Sequence, residues 1–467
     1  MNKSKLAEIF FLLSPYERNQ LQKFVHSPFH NQHAGVTALF GYLDDLPSPD
    51  PAILDRKIVF KSIFPRETFN DLKFRHTCSY LLRLIEDFLA WKELQEDGQN
   101  RDIYLLKAYR SRNMSKAFDS GWNAVAKSFR NSEIRDLNYH YCHYQLFSEK
   151  YNRTGARSIE VHPLLLQIND ELDIYFIINK LKQACNMLSH QRMFNTTYSF
   201  PMLEEIIAHI HRQNLQQIPE VGIYFNAYMV LTDEGEEHFL RLKEQIARYY
   251  KTFRQEEMRD IYLLAINYCI TRLNKGEMRY TREVFDIYKE GIENGVLFEN
   301  GVLSPWTYKN IAAAGLKLNE IAWTENFITS GRDALPKPYR NSFFVYNTAK
   351  LDFARKDYRS VARALNNVEI EDLFTNIDAK VTLVKTYFEM AEYHLLDYLL
   401  DNLGQLLRRK KVMAYHRSNY SNFISFVKRL VNLKTYDPGK KKRLTQDIVA
   451  SEILTEREWL MEKLEEI

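Results

Sequence analysis

Apolar residues recur at spacings of three and four along almost the whole chain, the period of one buried stripe on an α-helix. Between 66 and 96 the stripe reads Phe74, Cys78, Leu81, Leu82, Ile85, Phe88 and Leu89, which predicts one long helix. Boundary signals sit beside the stripes. A first helix near 3–13 stops at Ser14, and Ser14-Pro15-Tyr16-Glu17 supplies an N-cap, a proline at the first helical position and a glutamate that can reach back. The helix this opens runs to about His26, where Ser27-Pro28 ends it. A loop at 47–51 offers Asp50 as the next N-cap, with Pro51 inside the helix, and Phe64-Pro65 closes that short helix. The polar stretch Glu96-Asp97-Gly98-Gln99-Asn100 marks the end of an N-terminal helical domain, 1–96.

The pattern then predicts helices over 101–112, 115–131, 133–153, 162–192, 201–213, 219–232, 235–252, 256–275 and 278–294, punctuated by Gly155, Pro163, Pro201 and Pro219. Pro201 and Pro219 each stand just inside a new helix, where a missing N–H costs nothing. Beyond 300 the helices pair: 305–318 with 320–331, 338–355 with 358–368, and 373–390 with 392–409. A helix near 415–432 follows, then a turn at Asp437-Pro438-Gly439. The Thr455–Glu458 capping box opens a last helix through Trp459, Leu460 and Leu464.

Four segments repeat: Asn267 to Glu277, Asn310 to Glu320, Asn347 to Asp357, and Thr382 to Glu392. The steps from acid to acid are 43, 37 and 35 residues (320−277, 357−320, 392−357). Each acid separates two helical stretches, so the unit is a helical hairpin. One hairpin cannot bury its own apolar face, and neighbours must stack. The 43-residue step requires a longer connection than the others.

Residues 346–358 read Tyr-Asn-Thr-Ala-Lys-Leu-Asp-Phe-Ala-Arg-Lys-Asp-Tyr. This resembles the tetratricopeptide repeat, Tyr-Asn-Leu-Gly-x-Ala-Tyr-Tyr-x-x-Gly-Asp-Tyr, at Tyr346, Asn347, Ala349, Phe353, Asp357 and Tyr358. The neighbouring units match at Leu383, Tyr387, Phe388, Glu392 and Tyr393, at Asn310, Ala312, Ala314 and Glu320, and at Asn267, Gly276 and Glu277. Thr324, Val361 and Leu396 stand where the family has a second-helix alanine. The resemblance implies an all-α fold, a right-handed α-solenoid of stacked helical hairpins behind the N-terminal helical domain. It would comprise 101–255 as a divergent hairpin array and 256–467 as repeats with C-terminal capping helices.

The resemblance also implies a concave face lined by the first helix of each pair. The family's groove positions fall on Trp306, Lys309, Ala313, Leu316 and Lys317, then on Phe343, Tyr346, Lys350 and Phe353, then on Val381, Lys385 and Phe388. Asn310 and Asn347 stand at the asparagine that holds a peptide backbone in several family members. Lysines on three successive rungs, flanked by aromatics, suit an acidic or carboxylate-ended protein or peptide partner.

Composition narrows the alternatives. Only 15 glycines and 13 prolines in 467 residues favour long helices, and 29 Tyr with 29 Phe suit the seams between them. Sixty-four basic against 60 acidic residues is near balance, which argues against a dedicated nucleic-acid binder. The exception is Lys440, Lys441, Lys442 and Arg443, a basic run at the start of a helix, where the dipole disfavours it. With the N-terminal helices it supports an alternative reading as a nucleic-acid-associated regulator. Arg408-Arg409-Lys410-Lys411 complements the end of its helix. The four cysteines lie 64, 43 and 84 residues apart with no CxxC, as free thiols in a reducing compartment would. Ile9-Phe10-Phe11-Leu12-Leu13 is too short for a signal core of about 7–15 residues, and no run reaches the roughly 20 that span a bilayer. A cytoplasmic protein without a membrane partner is expected. His140 and His143 share a helix face but make only two metal ligands, and His209 and His211 cannot face one another. No glycine-rich phosphate loop and no nucleophile elbow occur, so the expectation is a non-catalytic scaffold without a cofactor.

Overall fold

The structure is a computed structural model and describes residues 4–47, 53–154, 161–194, 196–232, 235–409, 414–433, 438–451 and 453–466. Among these the protein is all-helical apart from one two-stranded hairpin. It divides into two compact units, Met1–Phe176 and Ile177–Ile467.

The first unit holds α1 (Lys5–Leu12), α2 (Pro15–Val25), α3 (Ala34–Asp44), α4 (Arg56–Ile63), α5 (Asp71–Glu96), α6 (Gly98–Ser111), α7 (Ser115–Asn131) and α8 (Leu137–Thr154). Its side-chain chemistry sets the boundaries. Ser14 and Glu17 form the reciprocal capping box at the start of α2. The α5 helix begins at Asp71 rather than 66 because Asn70 accepts from Lys73 N at 3.0 Å. Asp136, 1% exposed, accepts from Tyr139 N at 2.9 Å and delays α8 to Leu137. The polar stretch at 96–100 is a tight corner: Asp97 ends α5 and caps α6 through Asn100 N at 3.2 Å. The division between units falls further on, inside α9 (Val161–Phe194). Even so, α1 to α5 share one core around Phe10, Phe40, Phe60 and Phe88, and α6 to α8 share another around Phe118 and Phe129. Asp50, Pro51, Gly155 and Asp437 lie outside the described residues.

The second unit continues with α10 (Leu203–Gln213), α11 (Pro219–Leu231), α12 (Glu236–Tyr249), α13 (Gln255–Asn274), α14 (Tyr280–Glu293), α15 (Pro305–Lys317), α16 (Ile321–Gly331), α17 (Lys337–Ala354), α18 (Tyr358–Asn366), α19 (Leu373–Glu389), α20 (Tyr393–Arg409), α21 (Ala414–Val431), α22 (Pro438–Ala450) and α23 (Arg457–Glu466). Pro219 opens α11, whereas Pro201 lies in the turn before α10. From α11 to α21 each helix packs on its predecessor and its successor, and the first helices α15, α17 and α19 also touch in series.

All four repeat turns close in the same way. Gly276, Asn319, Lys356 and Ala391 have left-handed backbones, with φ of 89°, 58°, 62° and 57°. The N–H of the following acid reaches back five residues in each: Glu277 to Arg272 O, Glu320 to Gly315 O, Asp357 to Asp352 O and Glu392 to Tyr387 O, at 2.9–3.1 Å. This is the Schellman helix ending, which satisfies two orphan carbonyls and reverses the chain at once. Of the four acids, Asp357 also caps the next helix through its side chain, accepting from Ser360 N at 3.2 Å. Glu320 instead binds Arg282 at 2.9 Å and Glu277 binds Arg272 at 3.1 Å. The aromatic after the turn leans on the preceding helix, Tyr358 on Phe353 and Tyr393 on Phe388.

The long 43-residue step is filled by the strands β1 (Phe298–Glu299) and β2 (Val302–Leu303), joined through Asn300 and Gly301 at φ 52° and 76°. Positive φ at both positions is the Asn-Gly hairpin preference. Thr324 is accommodated by Gly315, where an added Cβ would lie 2.3 Å from Thr324 Oγ1.

Two outcomes are expected in urea unfolding. Ala391→Gly relieves a left-handed alanine and raises stability by about 1 kcal/mol. Gly315→Ala lowers it by about 1–3 kcal/mol, and adding Thr324→Ala recovers most of the loss; an unrecovered double variant would contradict the close-approach account.

Candidate functional site

The groove positions separate into an open stripe and a covered region. Trp306, Asn310, Ala313 and Lys317 are exposed, and their spacing of four, three and four places them on one stripe of α15. Trp306 is 48% exposed, with Tyr339 and Phe343 rings beside it at 5.9 and 6.4 Å. Phe343 and Tyr346 are buried. Asn347, 1% exposed, gives its Nδ2 to Phe343 O one turn back at 2.9 Å. The asparagine expected to hold a peptide backbone is thus buried, with one amide N–H given to its own helix.

The lysine rungs are engaged by this chain's own acids. Lys309 Nζ lies 2.8 Å from Asp378 Oδ2 on α19, and Tyr420 of α21 donates to the other oxygen at 2.8 Å. Lys385 is 7% exposed and pairs with Glu456 Oε2 at 2.7 Å. Its ammonium also lies over the rings of Phe353 at 4.7 Å and Trp459 at 5.6 Å. Lys317 Nζ is 3.5 Å from Glu458 Oε1. Thus Lys309 and Lys385, expected as solvent-facing rungs, are sequestered, while Lys350 is half-buried.

The covering element is the segment leading into α23. Trp459 sets its ring edge-on to Phe388 at 5.3 Å and donates Nε1–H to Glu389 Oε1 at 3.0 Å. Lys463 pairs with the same carboxylate at 3.0 Å. Burial raises the Glu456 carboxyl, but Lys385, Lys350 and Lys317 outweigh it and hold the group below its usual value. Burial pushes the Lys385 ammonium down, opposed by Glu456. The helix begins at Arg457, and Glu458 points to Lys317 rather than back to Thr455. The same stretch carries a second signal: Glu456-x-Glu458-Trp459 complements the lysine and aromatic positions.

Upstream, the first helices enclose a cavity of about 190 Å³ lined by Lys182 and Asn186 of α9, Tyr224 of α11 and Asp260 and Asn267 of α13. Tyr224 donates to the buried Glu257 at 2.7 Å beneath it. Cys185 borders the cavity, with burial pushing its thiol up to about 12, so it serves as packing.

In the first unit His140 and His143 do share a face, and what they meet is Glu171. Their Nδ1 atoms lie 2.9 and 2.7 Å from its two oxygens. Burial would raise this carboxyl, but the two histidine hydrogen bonds dominate and hold it at about 2. An ionised carboxylate accepts only, so both Nδ1 atoms carry the proton. Among the described residues no group of three or more His, Cys, Asp or Glu is arranged to hold a metal ion. Lys440, Lys442 and Arg443 are exposed and Lys441 half-buried on the first turns of α22; Lys410 and Lys411 lie outside the described residues. No described helix is long and apolar enough to cross a membrane. No family model, curated protein or solved structure matches the chain.

Because the folded Glu171 sits below its ordinary 4.5, its contribution is complete above that pH and lost as pH falls toward 2, at most about 3 kcal/mol. Glu171→Gln is expected to cost about 1–3 kcal/mol at pH 7 and to flatten the acid limb of a stability profile measured by urea titration. An acid limb identical to that of the wild type would contradict this.

Proposed function

We propose that the paired helices of the second unit form a right-handed solenoid and that the chain is a non-catalytic scaffold binding an acidic protein or peptide along its first helices. The observation that carries this reading is chemical. The face built by α15, α17 and α19 already engages acids and an indole, through Lys317, Lys385, Phe388 and Glu389. A surface that pairs buried ammonium groups with carboxylates and stacks aromatics beside them has the chemistry of peptide recognition. Unbroken packing of each helix on the next from α11 to α21, with the first helices α15, α17 and α19 touching in series, supports the stacked arrangement. The exposed stripe Trp306, Asn310, Ala313 and Lys317 offers an aromatic anchor with a cation three turns away. Four free thiols, three of them buried, suit a reducing, cytoplasmic setting.

Selection from a displayed random peptide library on the intact chain tests the reading. Acidic sequences containing an aromatic residue are expected to enrich, and Trp306→Ala with Lys317→Glu is expected to weaken the selected peptides about 10- to 100-fold. Absence of enrichment, or peptides indifferent to both substitutions, would remove the α15 stripe as the site.

A further inference from the structure

We propose that residues 453–466 are an internal ligand: they hold the α17–α19 end of the face as an acidic, tryptophan-bearing helix of a partner would hold it, and must leave before that partner binds. The inference rests on reading this face as a peptide site. It goes further by naming what the face recognises and what controls access to it.

The contacts have the layout of a docked peptide. Glu456 and Glu458 meet lysines from two different first helices, Lys385 of α19 and Lys317 of α15. Trp459 follows immediately and is held on three sides: by the Phe388 ring, by Glu389 at its Nε1, and by the Phe423 ring at 6.3 Å. Leu460 and Leu464, four residues apart on the same helical face, complete an amphipathic anchor and are buried in the common core. An aromatic anchor, apolar residues one turn apart and an acidic lead constitute a helix-in-groove pattern.

The occupant is also the kind of element that can detach. The α23 helix buries four side chains, Trp459, Leu460, Lys463 and Leu464, whereas α19 beneath it buries ten. At ten residues it is too short to be stable by itself, so it depends on the face it covers. It enters through Glu456, whose backbone is left-handed at φ 54°, a sharp break between α22 and α23. Few buried side chains put an element at the low end of local stability. Leaving would strip Lys385 of its counter-charge, since Glu456 is its ion-pair partner at 2.7 Å. A departure is therefore favoured only when another carboxylate takes the place of Glu456. That exchange selects an acidic partner with an indole or similar ring three residues after its acid, as Trp459 follows Glu456.

The probe is a fluorescein-labelled synthetic peptide of residues 453–466, titrated by anisotropy into the full chain. Wild type, its face filled, is expected to bind weakly. Full chain carrying Glu456→Lys with Trp459→Ala should expel its own segment and bind the probe at least about tenfold tighter, the factor that a mostly closed site withholds. Adding Lys385→Glu to that variant should abolish the gain. A milder chain, Glu456→Gln with Glu458→Gln, should give a smaller gain in the same direction, with circular dichroism reporting folding in each case. Hydrogen exchange on wild type should find α23 amides opening about 100-fold faster than those of α19. The proposal is overturned if folded variants bind no probe, if wild type binds as well as they do, if α23 and α19 exchange together, or if both variants unfold, since the segment would then be a wall of the core. Trp306, Asn310 and Ala313 lie outside these contacts, so the effect of Trp306→Ala alone on library-selected peptides reads the scaffold proposal separately from this one.

Discussion

The second unit depends on a chain reversal that pairs backbone carbonyls at the helix end within the turn itself. A helix ends with orphan carbonyls, and a long loop to the next helix would leave them to water. The Schellman ending pairs two of them within the turn and sets the next helix antiparallel. Asn319, Lys356 and Ala391 accept a left-handed backbone to do so, although only Gly276 does it without cost. Met114 after Asn113 makes the same closure in the first unit, reaching Tyr109 O at 2.9 Å. With the reversal settled, the apolar stripes of adjacent hairpins have one way to meet. Size changes are then absorbed locally, as Gly315 yields space to Thr324.

Charge burial organises the covered end of the face. An ammonium as enclosed as Lys385 requires an opposite charge, and Glu456 supplies it from 71 residues away in sequence. Lys309 is satisfied in the same way by Asp378, and Lys463 by Glu389 and Glu466. Acids and lysines that would read as solvated helix surface are thereby drawn into one interlocked region around Trp459. Trp306, Asn310 and Ala313 on α15 retain the exposure of a free helix face, while Lys317 of the same stripe meets Glu458.

The first unit follows the same rule with different groups. Glu171 is buried and ionised because two imidazoles on one helix face donate to it, and Gln167 adds a third donor at 3.0 Å. A pair of histidines at this spacing invites a metal; here a carboxylate fills that role, and the site reads as structural.

Helix identity and most helix ends were legible in the amino-acid order, because periodic apolar stripes, caps and prolines act over a few residues. Ser14 to Glu17 and Pro219 are local signals and act locally. The helices 115–131 and 305–318 needed no tertiary information to be placed to within a residue. The Asn300-Gly301 hairpin was equally local, its signal present but masked by the surrounding helical rhythm. What a lysine or asparagine on a first helix would face was not legible. Exposure of Lys317 and burial of Lys385 depend on which distant segment lies against each, and α23 reaches Lys385 of α19 from beyond three intervening helices. Helical periodicity assigns a residue to a stripe, but only the packed chain decides whether that stripe meets water, a neighbour or a segment distant in sequence. Coulomb pairing and burial act through space, with no fixed spacing along the chain to reveal them.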